Sequence, residues 1–166
     1  MAHRLRLTRS DWDRATADML RFHPFAHERL GVLACRTARG AHDTIIFLPT
    51  KYFSLPDELY EDDKNDPSVL IGSKAITRVM SFAYETGLSC LYVHIHGHDG
   101  VPGLSSPDMK HGNNLVRSLK NVNSKVPQGF IVLSNNASKG LLSIGGAEPR
   151  LCDFTTSIIS AKTDIR

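Results

Sequence analysis

The sequence has little cysteine and no CxxC pair. Cys35, Cys90 and Cys152 are the only three, an odd number and widely spaced. That excludes a disulfide framework and a cysteine-based zinc site. They read as small buried apolar residues, with a reactive thiol as the alternative. No apolar run reaches the roughly 20 residues needed to span a bilayer. The start, MAHRLRLTRSDWDR, lacks the apolar stretch of a signal peptide, so the chain reads as cytoplasmic with no membrane partner. A large excess of one charge is missing too: 20 basic against 17 acidic side chains leave +3. With no basic stripe interleaved with aromatics, nucleic acid is not an expected partner. Internal repeats and low-complexity tracts are also absent.

What remains is ordinary for a globular chain. Hydrophobic residues make up 41% and charged residues 22%, which excludes a mainly disordered protein. The 166 residues suit a single domain over 1–166, long enough to bury a core without staples.

Periodicity divides the chain. Trp12, Ala15, Thr16, Met19 and Leu20 form a helical stripe, predicting a helix over 8–22 capped by Thr8 or Ser10. His23-Pro24 ends it, because the residue before a proline is pushed out of the helical region. Strand-like runs over 30–37 and 44–49, joined by a polar linker, suit an antiparallel hairpin. Residues 56–67 form an acidic loop, with Asp57, Glu58, Glu61, Asp62, Asp63 and Asp66 set against Lys64. It reads as a solvated loop, with docking of a basic partner as the alternative.

Ile76, Val79, Met80 and Ala83 mark a helix over 73–87 that Gly87 can stop. A buried strand over 88–95 follows. Ser105-Ser106-Pro107-Asp108 has the chemistry of a helix start: a hydroxyl cap, an early proline and a carboxylate in the first turn. That helix is expected to run to about residue 123. Strands over 129–133, 140–144 and 151–160 close the chain. The order α-β-β-α-β-α-β-β-β predicts an α/β (α+β) fold, a mixed and mostly antiparallel sheet flanked by helices in a sandwich.

Histidine is the unusual residue. Three of the eight lie in Tyr92-Val93-His94-Ile95-His96-Gly97-His98-Asp99. Alternate residues of an extended chain share a face, so His94, His96 and His98 can all project one way. Two imidazoles at i, i+2 suit a tetrahedral zinc ion that takes its third ligand elsewhere. Asp108, in the first turn of the next helix, is placed to supply it. Two histidines, an aspartate and water form the open pattern of a catalytic centre.

His96-Gly97-His98, six further residues and Ser105-Ser106-Pro107-Asp108 resemble the HxH…SxxD core of the JAB/MPN metallopeptidases, the JAMM family. That family also carries a glutamate ahead of a glycine-containing strand, where this chain has Glu28-Arg29-Leu30-Gly31. The resemblance covers nearly the whole chain and implies a JAB/MPN-like, cytidine-deaminase-like sandwich. The family usually has seven residues between the second histidine and the serine. His96/His98 gives six and His94/His96 gives eight. The family's small residue between its histidines matches Gly97 rather than Ile95, so His96 and His98 are the expected ligands. His94 is then an outer-shell group or the alternative ligand. Asp99 replaces the family's proline and reads as a turn residue or an acceptor for a histidine N–H.

The resemblance implies one Zn2+ held by His96, His98 and Asp108, with Glu28 as the catalytic base and Ser105 as a donor to the oxyanion. It implies cleavage after the C-terminal glycine of a ubiquitin-like protein, in deconjugation or precursor processing. Stand-alone bacterial members suggest a ubiquitin-like conjugation pathway in antiviral defence, with activating and conjugating enzymes as further partners. Two rivals carry less. A metallo-β-lactamase-type HxHxDH signature is matched only with its last two residues exchanged. Non-catalytic MPN scaffolds typically lose the glutamate or a ligand, and this chain retains a full candidate set.

Overall fold

The structure is a computed structural model that describes residues 2–26, 28–62 and 71–160. Seven strands close into a barrel. They are β1 (Ala2–Thr8), β2 (Gly31–Arg39), β3 (Ile45–Ser54), β4 (Ser89–Ile95), β5 (Gln128–Leu133), β6 (Ser138–Ser143) and β7 (Arg150–Ile159). Three helices accompany them: α1 (Arg9–Met19), α2 (Ser73–Thr86) and α3 (Ser106–Val122). Around the barrel the order is β1-β3-β2-β4-β5-β6-β7, and β7 pairs with β1. The pairs β1·β3, β1·β7 and β4·β5 are parallel and the others antiparallel.

This corrects the expected helix-flanked open sheet in a sandwich. The strand that closes the barrel is β1, at the start of the chain. Its residues alternate, with His3, Leu5 and Leu7 buried and their neighbours exposed or half-buried. Three inward residues are too short a pattern to stand out in sequence, and the basic residues between them resemble a solvated tail. Pairing of β1 with β7 over seven residues brings together segments about 150 positions apart. No local pattern encodes such a pairing. Closure removes the sheet edges that an open arrangement exposes.

The barrel has two cores. Leu5, Leu33, Phe47, Leu91, Val93 and Ile131 fill its interior, and Ala15 and Met19 of α1 pack against them. Outside, α2 and α3 cover Val32, Cys90, Tyr92, Phe130 and Val132 with Val79, Leu115, Val116 and Leu119. Strand β4 serves both, since all seven of its residues are buried. Its odd positions face inward and its even positions face the helices, as the period of two requires.

Helix α3 approaches the sheet at Gly112, where an added Cβ would lie 2.8 Å from the Phe130 ring. Its first turn therefore sits over the C-terminal end of β4. The barrel wall is as tight at Gly140 of β6, where a Cβ would meet the Phe130 carbonyl oxygen at 2.3 Å and Ile131 Cα at 3.0 Å. Backbone cannot move aside as a side chain can. Gly140→Ala is expected to cost about 2 kcal/mol by overpacking, seen as a lower urea midpoint with an unchanged slope. A midpoint equal to wild type would show that the strands can separate at no cost.

Candidate metal centre

The even face of β4 runs on past the covered region to His94 and His96. His94 is buried, with its ring 5.4 Å from that of Phe130. The strand ladder continues one residue beyond β4, where His96 N–H donates to the Leu133 carbonyl at 2.8 Å. There the chain turns away. His98 is exposed, its Nδ1 is 2.9 Å from the Asp99 carbonyl, and its own carbonyl accepts from Asn135 N–H at 3.0 Å. Asp99 is a turn residue: its carboxylate accepts from Asn135 Nδ2 at 2.9 Å.

Glu28 and Asp108 reach the two histidines from opposite elements. Glu28 Oε2 is 2.8 Å from His94 Nδ1, and its Oε1 is 3.4 Å from His96 Nε2. Asp108 Oδ1 is 3.5 Å from His94 Nε2. The ligating atoms of Glu28, His94 and His96 all lie within 4.8 Å of one another. The structure thus brings together Glu28, His94, His96 and Asp108. It does not bring in His98, the expected second histidine.

Asp108 is held by the start of α3. Ser105 N–H and Oγ–H both donate to Asp108 Oδ2, at 2.7 and 2.8 Å, and Asp108 N–H donates back to Ser105 Oγ at 3.2 Å. This capping box consumes Oδ2 and leaves Oδ1 facing His94. It also occupies the single Ser105 hydroxyl hydrogen, so in this structure Ser105 orients Asp108 and does not point a donor at solvent.

An ionised carboxylate only accepts, so His94 Nδ1 must carry the hydrogen of the Glu28 contact. In the neutral ring Nε2 then presents a lone pair. It is buried without a hydrogen-bond partner, facing the acceptor oxygen of Asp108 at 3.5 Å. Leaving a buried polar atom unsatisfied costs about 1–3 kcal/mol, and two facing acceptors repel. A metal ion at Nε2, or a proton on it, removes both penalties. Two donor atoms on a tetrahedral zinc, each about 2.1 Å from it, stand about 3.4 Å apart. The 3.5 Å between His94 Nε2 and Asp108 Oδ1 matches that spacing. His94, Asp108 and His111 also line a void of about 20 Å³, sufficient for one small occupant. Burial and the neighbouring His94 ring hold the His96 imidazole below its usual 6.5, against the opposing pull of Glu28 and Asp108. A ring of that kind is neutral at pH 7, the form that ligates a metal. Glu28, His94 and His96 are placed so that they could hold a metal ion.

The loop carrying Glu28 is fixed by a residue that sequence reasoning missed. Arg29 is buried, and its guanidinium donates to the carbonyls of Arg21 and Phe22 at 2.8 and 2.7 Å and to Asp57 Oδ1 at 2.7 Å. A buried guanidinium needs such partners to offset its desolvation. No local signal marks it, since Asp57 lies 28 positions away. Asp57 belongs to the acidic loop read as solvated, so that reading fails at this residue. Glu61 and Asp62 are exposed, while Lys64, Asp63 and Asp66 lie outside the described residues.

No protein-family model matches the chain, and no curated protein matches it at a significant level. Among the described residues, no helix is long and apolar enough to cross a membrane.

The Arg29 guanidinium beside Asp57 holds that carboxyl below its ordinary 3.8. A depressed folded-state value contributes stability that is present above the unfolded value and lost as pH falls through the folded one. The stability gap between wild type and Asp57→Asn, read from urea midpoints, is therefore expected to be full at neutral pH and to close below about pH 4. A gap that stays constant down to about pH 2 would mean that Asp57 acts through shape rather than charge.

Proposed function

We propose that this chain is a zinc-dependent peptidase of the JAB/MPN (JAMM) type. Its reaction is hydrolysis of the amide or isopeptide bond after the C-terminal glycine of a ubiquitin-like protein. The observation that carries the reading is the buried His94 ring with Glu28 at its Nδ1 and Asp108 Oδ1 3.5 Å from its Nε2, and His96 beside the other oxygen of Glu28. The order glutamate, HxH, SxxD along the chain supports it, with His94 and His96 as the pair.

Of the two carboxylates, Asp108 suits the ligand and Glu28 the base. Asp108 is 13% exposed at its side chain and Glu28 38%. A ligand gains from being fixed and dry, and the Ser105 cap fixes Asp108. A base must reach water and substrate. Glu28 Oε2 orients the His94 ring, and Oε1 lies beside His96. Zinc, when bound, lowers the pKa of water and polarises a carbonyl oxygen. Glu28 Oε1 takes a proton from the attacking water and passes it to the departing amine nitrogen as the C–N bond breaks. Ser105 keeps Asp108 in register. To serve as an oxyanion donor, its hydroxyl must first rotate away from Oδ2.

In this reading the enzyme works in the cytoplasm on conjugates or precursors of the modifier, in a pathway with activating and conjugating enzymes. Metal content separates the candidate pairs. Wild type is expected to hold about one zinc per chain, with most of it lost in His94→Ala, His96→Ala or Asp108→Ala and retained in His98→Ala. Glu28→Gln should keep the metal and lose at least about 100-fold in cleavage of a ubiquitin-like fusion. Folded wild type that takes up no zinc would overturn the reading in favour of a scaffold.

A further inference from the structure

Beside the histidines the surface opens into a groove of about 460 Å³ lined by Leu20, Phe22, Phe25 and Ile95 together with the polar side chains of Arg21, His23 and Glu28. Leu20 is 63% exposed, Phe22 83% and Phe25 42%. One exposed apolar residue is ordinary. Three within six positions, next to a candidate catalytic carboxylate, form a patch of the kind that marks a binding site.

Leu20 and Phe22 stand largely clear of the core, yet the fold holds the loop that bears them. Arg29 ties down the carbonyls of Arg21 and Phe22. His23 Nδ1 accepts from the N–H groups of Phe25 and Ala26, at 3.3 and 3.0 Å, and its ring packs against Phe25 and Tyr60. A loop held open in this way binds at a lower ordering cost than a flexible one.

The groove also selects the character of its occupant. Arg21 in its lining is paired with Asp18 and Asp57, which offsets its charge toward an acidic group. Glu28 in its lining repels a carboxylate. The volume lies in the range of small-ligand sites, about 300–1,000 Å³. It has room for a large side chain with its backbone, not for a folded domain.

We propose that this groove is a specificity subsite that takes a bulky aliphatic or aromatic side chain of an extended peptide, within a few residues of the amide presented to Glu28. The proposal rests on the peptidase reading for what happens at that amide, but binding in the groove can be measured without it.

The probes are quenched-fluorescent peptides with a Gly-Gly core, carrying Leu, Phe, Ala or Asp at one position at a time within three residues on either side. Fluorescein-labelled copies report binding by anisotropy to the metal-free protein. At one position, zinc-loaded wild type is expected to prefer Leu or Phe over Ala by about tenfold in KM with kcat unchanged. Asp should be the poorest residue there. The anisotropy series should show the same preference. In Leu20→Ser/Phe22→Ser the preference should fall to about unity, with zinc content, thermal midpoint and kcat retained.

A preference that survives in the double variant overturns the subsite, as does its absence from wild type in both measurements. Cleavage without any preference removes the subsite and leaves the peptidase reading standing. Apolar preference in anisotropy with no cleavage of any peptide removes the peptidase reading and supports the groove.

Discussion

Strand β4 is buried on both faces, and the rest of the molecule is arranged around that constraint. A strand with apolar residues at odd and even positions needs cover on each side. The barrel interior covers Leu91, Val93 and Ile95, and helices α2 and α3 cover Cys90 and Tyr92. The same alternation carries His94 to the helix side at the place where the cover ends. A polar ring is thereby held in a dry setting, with one nitrogen on Glu28 and the other facing the first turn of α3. Burial of β4 thus creates both the rigidity of the centre and the unsatisfied nitrogen within it.

The two carboxylates reach His94 by unlike devices. Asp108 is placed by a helix start whose capping hydrogen bonds span only three residues, so its geometry is local and stiff. Glu28 sits on a loop without regular structure and depends on Arg29, which in turn depends on Asp57 and two carbonyls. The local device produces a buried, fixed oxygen. The long-range one places a partly exposed carboxylate in the lining of the neighbouring groove. That difference in construction distinguishes the two side chains where residue type does not, because both are carboxylates.

Much of the site was legible before the fold was known. Glutamate ahead of a glycine-containing strand, alternating histidines and a serine three positions before an aspartate are patterns of short range, and all four groups that converge were among the named candidates. The choice between histidine pairs was not legible. Alternation puts His94, His96 and His98 on one face only while the chain stays extended, and it stops being extended after His96. What turns it is the hairpin between β5 and β6, through Asn135 and Asn136, about 40 positions further on. Gly97 as the small residue between two histidines pointed to His98, which stands outside the cluster of Glu28, His94 and His96, because that argument concerns residue type and not the path of the chain.

By itself the sequence determined the features that depend on near neighbours: the extents of α2 and α3, the capping box at Ser105 and the in-out alternation of β4. Hydrogen bonds and side-chain faces a few residues apart settle those. Only the tertiary structure decided that the sheet closes, that β1 is the closing strand, and that Arg29 is buried with Asp57. It also decided which histidines meet. Each of these joins segments tens to about 150 residues apart, and the free energy that selects them comes from burial and desolvation shared by distant parts of the chain. Such terms have no period and no spacing, so they leave no local trace.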